Sequence, residues 1–568
     1  MARSHSSSSR FRHHSRHGNP YRAGSSQQQS FSEVPGLRGQ RSVFDRSCTH
    51  KTTFGSSHQN DDKTWTDDPS MLIPVYIDEV LPGDTFSMDA TALLRMATPI
   101  CPIMDGLHLD LHAFFVPNRI LWEDWTKFLG SQDKPNDQLP AALPTLKTPQ
   151  NFKRFSGDLY DYFGIPPETP FSTFILLNSL PFRAYDMIWN YWFRDENLQD
   201  SIDETIAAEP DYRQYSLKPR GKRKDYFTSC LPWAQKGGDV SIPLVDNKAY
   251  TQPGFLSIKD TQVGNADKRY NVNTDGTMDD NNDFMRASGA DRGVLIDKFY
   301  GNVDSQLEVD LSVQGSYVND LREAVQVQKF LERNARGGTR YNELLLAHFG
   351  VSVPDSRIQF PEYLGGGTIP VGIQQVPQTS STDQVSPLGN LAAYSLNLGS
   401  MRFHRSFVEH GYILVLASIR QEYTYSQGIN RLFLRQNRFD FFWPEFSHLG
   451  EQPVYKAELS VSAQVDDPRG TFGFQERYGE YRFNPNRASG LMRPQVPDTL
   501  AFWHLGQWFD DKDGVPTSLS AGFIEEAPAV GRILAVPSQP HFLADFYFNI
   551  KCVRPMSVYS APGLMDHF

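Results

Sequence analysis

Apolar and polar positions alternate along much of this chain, and the alternation predicts strands. From Met71 to Met96 the text MLIPVYIDEVLPGDTFSMDATALLRM is rich in apolar and β-branched residues, broken by Pro82-Gly83-Asp84. It reads as two strands about a turn. LHLDLHAFFV follows, with Leu107, Leu109, Leu111, Ala113 and Phe115 on one face and His108, Asp110 and His112 on the other. That is a period-two strand with one buried and one solvent face. FVEHGYILVLASIRQEYTY contains the longest apolar run, Tyr412 to Ile419. It is too short to span a bilayer and predicts a buried strand that leaves the core at Arg420. AELSVSAQV alternates Ala457, Leu459, Val461 and Ala463, and DFYFNIKCVRPMS alternates Phe546, Phe548, Ile550 and Cys552. Both read as strands.

The text between these blocks differs. Residues 118–235 are loop-like, aromatic and Pro-rich, with a helix predicted in FRAYDMIWNYWFRDENL (182–198), where Ala184, Ile188, Tyr191 and Trp192 form a packing stripe. YVNDLREAVQVQKFLERNARGG (317–338) predicts the clearest helix, spaced by Val318, Leu321, Val325 and Leu331 and stopped by Gly337-Gly338. PEYLGGGTIPV (361–371) reads as a Gly-rich loop; no Lys-Ser/Thr follows, so it is no phosphate cradle. Residues 245–305 are Asp-, Asn- and Gly-rich and poor in aliphatics, which predicts a solvent-exposed insertion. The expected fold is mainly β: an antiparallel β-sandwich with long loop insertions that hold a few helices.

Composition supports a folded chain of 568 residues, 39% hydrophobic, with 39 Phe, 24 Tyr, 41 Gly and 38 Pro. Four cysteines lie far apart without metal spacing, and buried or idle thiols are the expectation. Charge changes the picture more. The net charge is -11, yet residues 1–50 hold eight Arg, no Lys and two acids. Residues 1–65 are low in aliphatics and read as a disordered, extended basic arm ahead of a body spanning 66–568. A cationic arm on an anionic body suits contact with a polyanion; a solvated tail without function is the plainer alternative. A second cationic stretch, KPRGKRKDYF, places Lys218, Arg220, Lys222, Arg223 and Lys224 before Tyr226 and Phe227. Cations beside stackable rings suit single-stranded nucleic acid, and an exposed loop that balances the acidic body is equally compatible.

Catalytic text is missing: there is no G-x-S-x-G, H-E-x-x-H, Walker loop or dinucleotide fingerprint. His108 and His112 lack a third metal ligand in register. DGTMDDNND lacks the Gly and closing Glu of a calcium loop. No cofactor, metal or catalytic residue is expected. A secreted-type, β-sandwich glycan-active enzyme remains the alternative; it needs two carboxylates across a cleft and an export signal, which is not read here.

Several blocks carry a resemblance. VNDLREAVQVQKFLERNARGGTRYNELLLAHFGV with RIQFPEYLGGG, then SPLGNLAAYS, FVEHGYILVLASIR, WPEFSHLGEQPV and FGFQERYGEYRFNPNRASGLMR, with DYFTSCLPWAQKG upstream, run in one order. They resemble the major capsid proteins of gokushoviruses, small single-stranded DNA phages of the Microviridae. The resemblance covers most of the chain outside the arm and residues 245–305. It implies an eight-stranded jelly roll, sixty copies in a T=1 icosahedral shell around circular single-stranded DNA, and an insertion raised at the threefold axes for host attachment. On this expectation Arg3, Arg10, Arg12, Arg16, Arg22 and Arg46, with the 218–224 cations, face the genome. Asp275, Asp279, Asp280 and Asp283 then mark the surface protrusion. A small basic interior protein, scaffolding and pilot proteins and a bacterial cell-surface receptor are the implied partners. The virion, assembled in the host cytoplasm, is the implied location, with no membrane insertion.

Overall fold

The computed structural model describes residues 41–129, 143–148, 156–166, 175–202, 215–237, 318–352 and 359–556, apart from short breaks, and four three-residue strands between 248 and 310. Nine strands carry the body: β1 (Ser42–Asp45), β2 (Cys48–Phe54), β3 (Ile73–Val80), β4 (Thr85–Met96), β5 (Leu107–Pro117), β6 (Glu362–Val371), β7 (Asn397–Ser406), β8 (Gly411–Gln421) and β9 (Phe542–Arg554). They form two antiparallel sheets. In the first, β9 lies between β4 and the β1–β2 pair, with β7 beyond β4; the second runs β6-β5-β8-β3.

Alternation builds the first sheet as the pattern predicts. Phe546, Phe548, Ile550 and Cys552 of β9 are fully buried, while Leu543, Tyr547 and Lys551 face outward. On the neighbouring strand Phe548 pairs with Ala90 and Phe546 with Ala92, so small residues stand beside large ones. The inward faces of both sheets share one apolar cluster, to which β5 contributes Leu109 and Leu111 and β8 contributes Ile413 and Val415. Each such side chain contributes roughly 1.5–3 kcal/mol by leaving water.

The central strands of the second sheet, β5 and β8, are buried on both faces. The outer face of the sheet packs Phe114, Val116, Leu414 and Leu416 against α1 (Leu180–Ile188) and its surroundings, in a second apolar cluster. A strand buried on both sides must be apolar throughout, which explains the run Tyr412–Ile419. The expected helix at 182–198 is shorter: α1 is followed by a π turn, Trp189–Phe193, and the chain is extended again at Arg194.

Two further helices are α2 (Val318–Gly337) and α3 (Tyr341–Phe349). Gly338, at φ 94°, ends α2 as read.

Four readings need correction. Residues 42–54, placed in the disordered arm, form β1 and β2 on β9, because β9 offers them a free edge. The triple-glycine text is a strand, β6: a Cβ on Gly366 would lie 2.5 Å from the Leu111 carbonyl oxygen, so glycine permits the close pairing with β5. The alternating 457–465 stretch begins with a short helix, Lys456–Leu459. There Glu458 accepts from the Tyr455 N–H at 2.9 Å and from the Tyr226 hydroxyl at 2.9 Å, and this local network overrides the β pattern. The outward face of β5 is covered: Asp110 is 1% exposed.

Candidate functional site

The chemistry of the described residues concentrates on that covered face. Cross-strand register puts Thr368 of β6 and Ser418 of β8 on either side of Asp110 of β5. Asp110 Oδ1 accepts from the Thr368 hydroxyl at 2.7 Å. Its Oδ2 accepts from Arg420 Nε at 2.9 Å and Nη2 at 2.7 Å. Arg220 Nη1 stands 3.1 Å from the same carboxylate and Arg223 Nη2 3.6 Å from it. One carboxylate therefore faces three guanidinium groups. Burial raises its pKa, but Arg220, Thr368 and Arg420 outweigh burial and hold it below the ordinary carboxylate range.

His112, one turn of the pleat away, has its pKa pushed down to about 4 by burial and by the Arg220 charge. It is neutral near pH 7, and its Nε2 accepts from Arg220 Nη2 at 3.0 Å. Arg220 also donates to the Ser418 hydroxyl, and burial together with Arg420 lowers its pKa to about 9.

The 218–224 segment differs from the exposed cationic loop expected. Arg220 and Lys222 are 5% and 8% exposed. Lys222 Nζ donates to the Phe523 carbonyl at 2.6 Å and stands 4.7 Å and 4.6 Å from the Tyr423 and Phe523 ring centres. Lys218 lies 3.8 Å from Asp186 and Lys224 3.3 Å from Asp195; only Lys224 is largely open to solvent. Tyr226 and Phe227 are buried in a third apolar cluster, so they offer no face to a base. The physical reason is alternation: inward-pointing members of the run enter the protein, where carbonyls, rings and Asp110 receive them.

Arg46 bridges β1 and β2 and donates through Nη1 to both oxygens of Asp78, at 2.7 Å and 2.5 Å. It fastens this strap to β3 as well as being partly open to solvent. Arg3, Arg10, Arg12, Arg16, Arg22, Asp275, Asp279, Asp280 and Asp283 lie outside the described residues. Sequence reading missed the Asp110 hub. The available signal was a carboxylate within one apolar strand and an arginine ending another.

A family model described as capsid protein (F protein) matches residues 32–564. The chain belongs to this phage capsid protein family. Capsid protein VP1 of Bdellovibrio phage phiMH2K is 40% identical over 555 residues, covering 95% of this chain and 98% of that protein. Capsid protein VP1 of Chlamydia phage 1 is 38% identical over 600 residues, with 94% and 97% covered. That of Spiroplasma virus 4 is 36% identical over 519 residues, with 87% and 92% covered. The resemblance to Microviridae capsid proteins is thereby shown, and the glycan-active alternative falls. This capsid chain is a structural protein of the virion, not an enzyme, and assembles with copies of itself into a shell. Among its described residues no helix is long and apolar enough to cross a membrane.

Proposed function

We propose that this capsid protein forms, in sixty copies, a T=1 icosahedral shell around circular single-stranded DNA, with an eight-stranded jelly roll as its body. The nesting of strand pairs supports the reading. When β1 and β2 are taken as one interrupted strand, the antiparallel pairs are β1/β2 with β9, β3 with β8, β4 with β7 and β5 with β6. That is the pairing of a long hairpin rolled upon itself, with eight strands divided four and four between two sheets.

The basic arm carries the genome contact. Arg3, Arg10, Arg12, Arg16 and Arg22 neutralise phosphate from within, and these five positions precede residue 32, where the family match begins. Arg46 and Lys224 add to it from the β body. Residues 245–305, with Asp275, Asp279, Asp280 and Asp283, form the threefold protrusion that meets a bacterial surface receptor. A small basic interior protein, scaffolding and pilot proteins complete assembly in the host cytoplasm.

Deleting residues 2–22 tests the cargo reading. Shells of normal diameter by negative-stain microscopy, with less nuclease-protected DNA, are expected. Full genome content at ordinary salt removes the arm from the account.

A further inference from the structure

The Asp110 hub opens onto a cavity of about 650 Å³. Its walls come from β5 and β8, the turn after α1, the 220–228 segment, and the end of α2 with Gly338, Arg340 and Glu343. Seven lining side chains are Arg or Lys and three are carboxylates, in a chain of net charge -11. Those carboxylates are engaged: Asp195 by Lys224 at 3.3 Å, and Glu196 and Glu343 by Arg340 at 2.9 Å and 3.2 Å. Behind the wall, Asp110 brings one negative charge to three guanidinium groups, Glu451 takes Arg336 at 2.5 Å, and the Glu526 carboxyl acts on Arg220 and Lys222.

Two guanidinium Nε atoms, of Arg194 on the wall and Arg223 beside it, are buried without an acceptor. Buried donors without acceptors and buried charge without compensation are costly. An oxyanion in the cavity would give such donors their acceptors. On the same walls, Trp192 and Tyr363 lie with ring centres 5.5 Å apart, and the Arg220 guanidinium is 5.4 Å from the Phe193 ring centre.

We propose that this cavity is a phosphate-binding site, in which Arg194, Arg220, Arg223 and Arg420 surround a phosphate group and Trp192 and Tyr363 offer a face to an attached nucleobase. Guanidinium forks match phosphate oxygens in pairs, and pockets of roughly 300–1,000 Å³ hold ligands of nucleotide size. The phosphate comes either from free phosphate or nucleotide, or from the backbone of single-stranded DNA. The cavity is separate from the arm.

The test uses the unassembled full-length chain and its Arg194→Gln and Arg223→Gln variants. Each is titrated with inorganic phosphate, thymidine monophosphate and an oligothymidylate at constant ionic strength, by calorimetry and thermal midpoint. Phosphate and thymidine monophosphate are expected to raise the wild-type midpoint, with affinity falling about tenfold in each variant as a charge-assisted contact is lost. Displacement of phosphate by the oligothymidylate assigns the ligand to DNA backbone; failure to displace it assigns free phosphate or nucleotide. Deleting residues 2–22 leaves thymidine monophosphate binding unchanged, so loss of the arm's role and loss of this site are read apart. No wild-type response to any phosphate probe overturns the proposal, even if the variants fail to fold. So does equal affinity in wild type and variants.

Discussion

Ile413 and Leu414 are consecutive on β8 and belong to different cores, Ile413 to the cluster between the sheets and Leu414 to the one beneath α1. The second sheet thus ties the sandwich to the inserted layer. Leu414→Ala should cost about 2–5 kcal/mol, because the cavity left beneath α1 is closed in. Tyr547→Ala, on the open face of the first sheet at 47% exposure, should stay within about 0.5 kcal/mol. Thermal unfolding of the unassembled chain compares the two.

Asp110→Asn removes the one carboxylate held by Arg220, Arg223 and Arg420. Uncompensated buried cations make this change severe, about 3–5 kcal/mol. A further Arg420→Gln should recover part of the loss, since it removes one of the stranded charges. Soluble yield and thermal midpoint of the single and double variants check the order.

Glu526 gives the fold a pH dependence. Burial raises its pKa to about 7, although the Gln421 N–H and the Tyr423 hydroxyl donate to it. Between the unfolded value of 4.5 and about 7 the folded chain holds a proton that the unfolded chain releases, so stability falls as pH rises through this window. Lys222, lowered to about 8 by burial, acts in the other direction: its contribution is lost as pH falls through about 8. Glu526→Gln should flatten the acid side of the profile, an effect on the order of 2 kcal/mol between pH 5 and pH 7. Denaturation midpoints across that range measure it.

Gly366→Ala drives a methyl group against the Leu111 carbonyl oxygen at 2.5 Å. The β6–β5 ladder must spread, at a cost of about 1–3 kcal/mol. Faster amide exchange at Leu109 to Ala113 than at Phe546 to Ile550 would locate the damage. An unchanged exchange pattern would show that the strands absorb the methyl group.

The site was less legible than the fold. Of the 218–224 cations, sequence gives the charge but not the direction of each side chain, and Arg220 and Lys222 turn inward. The contact between Arg420 and Asp110 joins positions 310 residues apart, and neither local stretch carries a sign of the other.

By itself the sequence determined the strands whose faces differ in environment. Phe546, Phe548, Ile550 and Cys552 alternate with exposed neighbours because one side of β9 meets the core and the other meets solvent. It also determined α2 with its glycine stop, and the family, through blocks of text spread along the chain. Tertiary structure alone decided the second face of β5 and β8, the glycine strand β6 and the short helix at Lys456–Leu459. A residue's own neighbours set its local backbone preference, while burial of a face depends on what distant chain is laid over it. Here that covering, supplied by α1 and the 218–224 segment, turned a face that reads as solvent-exposed into a buried cationic hub.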